Sequence, residues 1–381
     1  MADERITRSD AQMNATKTLL HFLTPAGEVG QPGGPWSIYS YPPEVAEAGA
    51  IGSVLRDTVE IYDIDGELLF YDFVTRLNDD QQLRVRAAAD KSLKTPVWSL
   101  GINPPFDIQA AVGKALEKAA EHNLEPASEP ERLVCYSYPK LGLLCRSARG
   151  MKVVIDLGHI EPVSVVEAGP PSSEYLTLWS PFDLVGRASE ASFVESWSFS
   201  EQTLPVLPSI EAGLEALLSA IEGAREIEME RVLPGMTLRG QKTPFFCAVA
   251  TAQMILAYHG IVKTQEEIAA AMKTGPAGTN NSNQIQGYHG LAGEQFTAIY
   301  DDTASFLEAK EEISLGRPFK SGVPGHARAC GGWKTVESPN GTQKRWLYIF
   351  DPWPPEEGRA YWESWGAIGH TNYIYLRLTE V

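Results

Sequence analysis

The stretch Ala248 to Tyr258 is apolar or small on nearly every side, with Thr251 and Gln253 the exceptions. A helix with no polar face cannot lie on a surface, so other elements must enclose it. This requirement restricts the fold more than any other feature of the chain. The helix sits within "GQKTPFFCAVATAQMILAYHG", where Cys247 stands at its head and Gln241 six residues earlier. Gly260 is placed to end it in the left-handed conformation that favours glycine.

The segments C-terminal to this helix supply the enclosure. "TQEE" from Thr264 reads as a capping box opening a second helix. A Gly- and Asn-rich segment, Gly275–Gly290, reads as a loop, and a further helix is expected near Thr303–Leu315. The pattern then turns to strands in "HARACGGW", "RWLYIFD" and "YIYLRL". Helices followed by an antiparallel sheet give an α+β unit over residues 235–381.

The first half is also α+β. "DTVEIYDIDGELLFYDFV" alternates β-formers about an Asp-Gly turn and reads as a hairpin. Asp107–Asn123 reads as a helix with Asp107 as N-cap and a stripe of Ile108, Val112, Leu116 and Ala120. "RLVCYSY" and "KVVIDLG" read as strands. These define an N-terminal domain of residues 1–165, whose first twenty residues read as peripheral or disordered. Residues 166–234 are expected to connect the two domains, with β-like runs in "YLTLWSPFDLV" and "ASFVESWSF" and a helix over Ser209–Ala224. "EIEMERVLPGMTLRG" reads as the linker into the second domain.

Charge divides the same way. The net charge of −17 over 381 residues lies wholly in residues 1–230, which carry 35 acidic and 18 basic side chains. An acidic half argues against nucleic acid and anionic membrane as partners. No apolar run approaches the ~20 residues of a membrane span. "MADERITRSDAQMNATKTLLHFL" has no signal-peptide core. A cytoplasmic setting is expected, or a secreted one if a leader has been removed. The four cysteines, Cys135, Cys145, Cys247 and Cys330, form no CxxC pair, which argues against a structural zinc site. Cys135 and Cys145 flank "YSYPKLGLL", a hairpin expected to turn at Pro139–Gly142, either facing each other or buried as separate thiols.

A helix N-terminus offers unpaired N–H groups and partial positive charge, and both favour a thiolate over a thiol. Cys247 is therefore placed as a nucleophile, against the alternative of a small buried side chain. Acyl transfer by a thiolate needs a base, a group that orients the base, and donors for the oxyanion. His326 begins a strand, with Asp351 at the end of another in "YIFDPWP", and Trp353 is placed to shield the pair. Gln241 offers an amide upstream of Cys247 as oxyanion donor. Of the other histidines in this half, His259 reads as a helix-end charge or packing residue, His289 as a loop residue, and His370 as part of "GHTNY".

Together these residues resemble a papain-like cysteine peptidase. Gln241 and Cys247 are spaced as in that family, and "GHARACGGW" resembles its histidine strand. Asp351 stands where many members have Asn, and Trp353 matches their Trp. Papain itself places its histidine ~130 or more residues after the cysteine, whereas His326 follows Cys247 by 79. That short gap, "AYHGIVKTQEEIA", and the Asp-Pro after the long strand are more similar to the bacteriocin-processing (double-glycine) peptidases and their relatives. The resemblance covers residues of about 235–381.

It implies a cysteine peptidase that hydrolyses peptide bonds, with Cys247 as nucleophile, His326 as base, Asp351 as orienter and Gln241 as oxyanion donor. It implies no metal or organic cofactor, and a peptide or protein as substrate. Two alternatives stay open: a thiol acyltransferase using the same residues (transglutaminase, deamidase or peptide cyclase), and an inactive peptide-binding module. The N-terminal domain is open to three roles: inhibitory, substrate-recruiting, or structural.

Overall fold

The structure, a computed structural model, describes residues 5–23, 55, 57–76, 79, 81–128, 130–163, 178–185, 197, 227–337 and 343–379. The expected helix over Ser209–Ala224 and most of the run "ASFVESWSF" lie outside the described residues.

In the N-terminal half the elements are α1 (Arg8–Leu23), β1 (Asp57–Tyr62), β2 (Leu68–Arg76), β3 (Gln82–Ala88), β4 (Val97–Asn103), α2 (Ile108–Glu121), β5 (Leu124–Pro126), β6 (Leu133–Ser137), β7 (Lys140–Ser147), β8 (Lys152–Asp156), β9 (Glu161–Val163) and α3 (Pro181–Val185). The C-terminal half holds β10 (Ile227–Val232), α4 (Cys247–Tyr258), α5 (Gln265–Ala271), α6 (Asn281–Ala292), β11 (Phe296–Asp301), α7 (Phe306–Ser314), β12 (Phe319–Val323), β13 (His326–Glu337), β14 (Gln343–Asp351), β15 (Arg359–Ser364) and β16 (Asn372–Leu378). The chain is α+β, and its strands form one sheet in the order β11-β16-β12-β13-β14-β15-β4-β3-β2-β1-β6-β7-β8-β9, with β10 on β13 and β5 on β7.

The sheet passes from one half to the other at β15 and β4, where Trp362 pairs with Leu100 and Glu363 with Ser99. The apolar core is continuous across that seam: Phe70, Trp98, Val249, Ile255, Trp353 and Trp362 belong to one buried cluster. Each such side chain contributes ~1.5–3 kcal/mol on burial, so the halves are joined by core as well as by hydrogen bonds.

Several sequence expectations change. Where the first twenty residues are described they are not peripheral: α1 buries Ala11, Ala15 and Leu19 completely, at a spacing of four that keeps them on one face. Asp107 does cap α2, accepting from the Ala110 N–H, but the buried stripe is Ile108, Ala111, Ala115 and Ala119. Val112 and Leu116 pack at its margin, and Ala120 is exposed, because the sheet meets the small-residue edge of the helix. "SPFDLV" is helical rather than β-like. The Ser180 hydroxyl accepts from the Phe182 N–H and the Ser180 N–H donates to the Asp183 carboxylate, with Pro181 at the first helical position.

The β6–β7 turn is tighter than expected and comprises Tyr138 and Pro139. Cys135 pairs with Leu141, and Cys145 with Pro126 and Val153, so the two thiols do not face each other, and both are free and buried. The first part of the stretch read as a linker, Ile227–Val232, is β10, paired along its whole length with β13. Gly275–Gly290 is only partly loop, since the Asn280 side chain accepts from the Asn283 N–H and starts α6, which carries His289. The capping box at Thr264 is present, and Gly260 has a φ of 79°.

Candidate active site

α4 is enclosed as its composition requires, burying Ala248, Val249, Ala250, Thr251, Ala252, Met254, Ile255 and Leu256. Its two polar exceptions tie it to its surroundings. Thr251 donates to the Ala327 carbonyl at 3.0 Å, beside His326, and Gln253 donates to the Lys263 carbonyl at 2.9 Å. Phe246, at the N-cap, makes no side-chain cap. The first N–H groups of α4 therefore lack a capping partner where Cys247 begins the helix.

His326 is delivered by a two-residue hairpin. Val323 pairs with His326 across β12 and β13, with Pro324 and Gly325 between them, and Gly325 has the positive φ of 66° that such a turn requires of its second residue. Asp351 ends β14, the next strand, and its Oδ1 lies 2.7 Å from His326 Nε2. Both side chains are fully buried. The Asp351 carboxylate has two further donors: the Trp353 N–H reaches Oδ1 at 2.9 Å and the Tyr361 hydroxyl reaches Oδ2 at 3.0 Å. Burial opposes its charge, but His326, Arg359 and Arg328 outweigh burial and hold the carboxyl at about 2. A carboxylate on Nε2 fixes the tautomer that carries its proton there, so the free lone pair is on Nδ1. Nδ1 has no hydrogen-bond partner of its own, and His326 is the group that most lowers the Cys247 thiol.

The thiol is strongly perturbed. Burial alone would push it up, but hydrogen bonding and charge from His326, the charge of Lys140, and the backbone at Ala327 bring it down to about 6. The other cysteines move the opposite way. Burial pushes Cys135 and Cys330 up to about 12 and Cys145 to about 11.

Gln241 is fully buried and anchored to both neighbours of the site. Its backbone N–H donates to the Pro352 carbonyl at 2.8 Å, and its side-chain Nε2 donates to the Thr243 carbonyl at 2.7 Å. One amide hydrogen thus holds the turn before Cys247 and a second remains. Trp353 is 1% exposed and touches Asp351 through its backbone N–H. Its indole donates to Asp156 at 3.1 Å, and the Arg359 guanidinium lies 4.6 Å from its ring centre.

A narrow cleft of about 20 Å³ opens on the thiol, lined by Phe245, Cys247, Gly278, Thr279, Gln284 and His326 among others. A larger cavity of about 520 Å³ lies in the N-terminal half, among Arg5, Asp63, Glu67, Asp90, Ser180 and Asp183, with neither cysteine nor histidine in its lining. Among the described residues, no group of three or more His, Cys, Asp or Glu side chains is arranged to hold a metal ion.

The other histidines of the C-terminal half do not join this site. His259 packs between Tyr258 and Phe296, and burial lowers its pKa, so it is a packing residue rather than a helix-end charge. His289 is exposed on α6. His370 stacks on Trp365 at 4.4 Å and shares a hydrogen bond with Ser321.

The sequence does not point to Tyr361, Arg359, Asp156 or Lys140. Tyr361 and Arg359 lie after Asp351 in the chain, but only the β14–β15 register, with Asp351 opposite Arg359, brings them to it. Asp156 and Lys140 come from the other half of the molecule, where no local pattern marks them.

Residues 236–377 match the Peptidase C39 like family. The chain also aligns with the peptidase domain of Streptococcus ComA, a bi-functional ABC transporter involved in a quorum sensing pathway, at 17% identity and a TM-score of 0.30, over 38% of this chain and 99% of that one. A second similar structure is a double glycine motif protease from an AMS/PCAT transporter in complex with the leader peptide, at 15% identity and a TM-score of 0.29, over 40% and 99% of the two chains. No curated protein matches the chain. The family match begins at residue 236 and does not extend into the N-terminal half.

Proposed function

We propose that this protein is a cysteine peptidase that hydrolyses peptide bonds at Cys247. The observation that carries the reading is a thiol at the head of a buried helix, brought down to about 6 beside a histidine whose far nitrogen is held by a buried carboxylate. The match of residues 236–377 to a peptidase family supports it.

In this reading His326 Nδ1 takes the Cys247 proton, and the thiolate sulfur attacks the substrate carbonyl carbon. The oxyanion is held by the Cys247 N–H and the second amide hydrogen of Gln241. The intermediate collapses with cleavage of the C–N bond, and His326 returns its proton to the leaving amine. Water then attacks the thioester, His326 takes its proton, the C–S bond breaks, and the acid product leaves. Asp351 stays ionised throughout and keeps Nε2 protonated, the role of the carboxylate in such triads. No step calls for a metal. A peptide or protein is the substrate class.

Incubation of wild type and Cys247→Ala with a peptide library, read by mass, tests the proposal. Products one water heavier in sum than the substrate, absent with the variant, support it. Products joined to an added amine would show that the same residues perform transfer, and no product from either protein would overturn catalysis on peptides.

A further inference from the structure

His326 and Asp351 meet beyond the end of the ladder that joins their strands. The last paired positions of β13 and β14 are Ala329 and Phe350. His326 follows the Pro324–Gly325 turn, and Asp351 runs into the loop of Pro352, Trp353 and Pro354. Chain at the end of a ladder opens easily where nothing else holds it. Here the N-terminal half holds both connections, and both holds run back to Tyr136 on β6.

One hold is on the loop after Asp351. The Trp353 N–H donates to Asp351 Oδ1, the same oxygen that meets His326 Nε2. The indole of Trp353 donates to Asp156 Oδ2 at 3.1 Å, and the Tyr136 hydroxyl donates to that oxygen at 2.7 Å. Asp156 Oδ1 accepts from the N–H groups of Gly158 at 3.0 Å and His159 at 2.7 Å, with His159 Nδ1 at 3.1 Å. An ionised carboxylate only accepts, so Asp156 fixes the direction of the indole. A Cβ at Gly158 would stand 2.7 Å from Trp353 Nε1 and 2.6 Å from Pro355 Cδ, so the two loops lie in direct contact. The other hold is on the turn before His326. The Trp179 indole donates to the Pro324 carbonyl at 3.2 Å, and the Trp179 N–H donates to the Tyr136 carbonyl at 2.9 Å. Tyr136, Asp156, Trp179 and Trp353 are all buried.

We propose that Asp156 and Trp179 are positioning residues for the His326–Asp351 pair, and that the N-terminal half is the frame that holds this pair in register. The inference rests on the reading of Cys247, His326 and Asp351 as a peptidase triad. Asp156 acts through Trp353 on Asp351, and Trp179 acts through Pro324 on His326. The residues lining the cleft at Cys247 belong to the C-terminal half, so the frame sets turnover without lining the cleft. A misplacement of about 1 Å far from the chemistry is enough to cost about a hundredfold in rate.

The test uses the full chain as wild type, Asp156→Asn, Trp179→Phe, Asp351→Ala and the double variant Asp156→Asn/Asp351→Ala. Asparagine keeps the size of Asp156, but with its oxygen on Gly158 and His159 it turns an N–H toward the Trp353 indole. Phenylalanine keeps a ring at position 179 and removes its N–H. Alkylation of Cys247 by iodoacetamide is followed by mass across pH, a readout that needs no substrate. Peptide-cleavage kinetics and thermal unfolding are measured alongside. The wild-type midpoint is expected near 6. In Asp156→Asn and Trp179→Phe it should rise by about one pH unit, because a displaced His326 pairs less well with the thiolate. In both, kcat should fall about ten- to a hundredfold with KM level. In the Asp351→Ala background, Asp156→Asn should change neither value further, since it acts through the residue already removed. Residues that support the fold alone would lower Tm and leave the midpoint and kcat of the folded protein in place, and that result overturns the proposal. So does an effect of Asp156→Asn that multiplies that of Asp351→Ala, and so does loss of folding in both single variants. A wild-type thiol that titrates at its ordinary value overturns the triad itself. A wild type alkylated near pH 6 that cleaves no peptide overturns the peptidase reading alone, and the midpoints still decide the role of Asp156 and Trp179.

Discussion

Cys247→Ser replaces sulfur by oxygen with little change of shape, so the fold should persist, while a serine hydroxyl without the lowered pKa should lose turnover by at least about 10³-fold. Peptide cleavage and a thermal melt check the two halves of that expectation. The same chemistry predicts selective labelling. With Cys135, Cys145 and Cys330 pushed up to about 11 or 12 and Cys247 brought down to about 6, brief treatment with iodoacetamide at neutral pH should add one carbamidomethyl group, at Cys247. Two or more groups on the folded protein would contradict the assignment. Cys330→Ala should keep turnover. Asp351→Asn should cost less than Asp351→Ala, because an amide oxygen still accepts from His326 Nε2 while alanine leaves that N–H buried and unpaired. Measured kcat/KM values for the two variants decide it, and equal losses would reduce Asp351 to a turn residue. At this scale the sequence is most readable where chemistry is local. Cys247, His326 and Asp351 stand at element ends that pattern alone reveals. Tyr361 reaches the Asp351 carboxylate through the register of β14 on β15, which no local signal encodes.

Helix starts are readable for the same reason. Thr264, Ser305, Asn280 and Asp107 each cap with their own side chain, and only Asn280 is hidden, inside a run rich in Gly and Asn. β10 is hard to recognise because its charges look like those of a solvated linker. The register explains them, since Glu230 lies opposite Lys334 on β13 and the two form an ion pair at 3.3 Å. Close packing between segments is equally hidden. A Cβ at Gly240 would stand 2.3 Å from the Glu356 carbonyl carbon and 2.5 Å from two backbone nitrogens. The chain before Gln241 therefore lies directly on the loop after Asp351. Gly240→Ala should cost about 1–3 kcal/mol of stability and lower activity more than a surface glycine such as Gly290→Ala does. Chemical denaturation together with peptide cleavage would test this, and a Gly240→Ala protein with wild-type stability and rate would show that the loop yields freely.

The two halves share one sheet and one core, so a break between them exposes both. Residues 235–381 expressed alone should be insoluble or unstable, with Trp353, Trp362 and the β15 edge uncovered. Solubility and a melt of the fragment check this. Cleavage between residues 226 and 240 would have to free β10 from its six paired positions on β13, which favours a permanent pair over a removable N-terminal segment. The full chain should stay intact on incubation and be active without processing. Acid should undo the pair. Asp72, Asp156 and Asp351 all have folded pKa values below the ordinary carboxyl value, despite burial, through Arg86 and Arg84, through His159 and Tyr136, and through His326 respectively. Carboxyls lowered by folding add stability above the unfolded value near 4 and lose it as pH falls through the folded values. Tm should therefore hold from neutral pH to about 5 and drop below about 4; a flat profile down to pH 3 would contradict these pairings. The α+β class is legible from periodicity, whereas the union of the halves is not, because it rests on β4 and β15.

The distance between those two strands along the chain also sets an order of events on the ribosome. Leu100 and Ser99 wait for Trp362 and Glu363, which emerge some 260 residues later, roughly 13–50 s at ordinary rates of synthesis. For that interval the nascent N-terminal half carries an open strand edge and an uncovered aromatic surface. A chain released before β15 is made would keep that edge and that surface exposed.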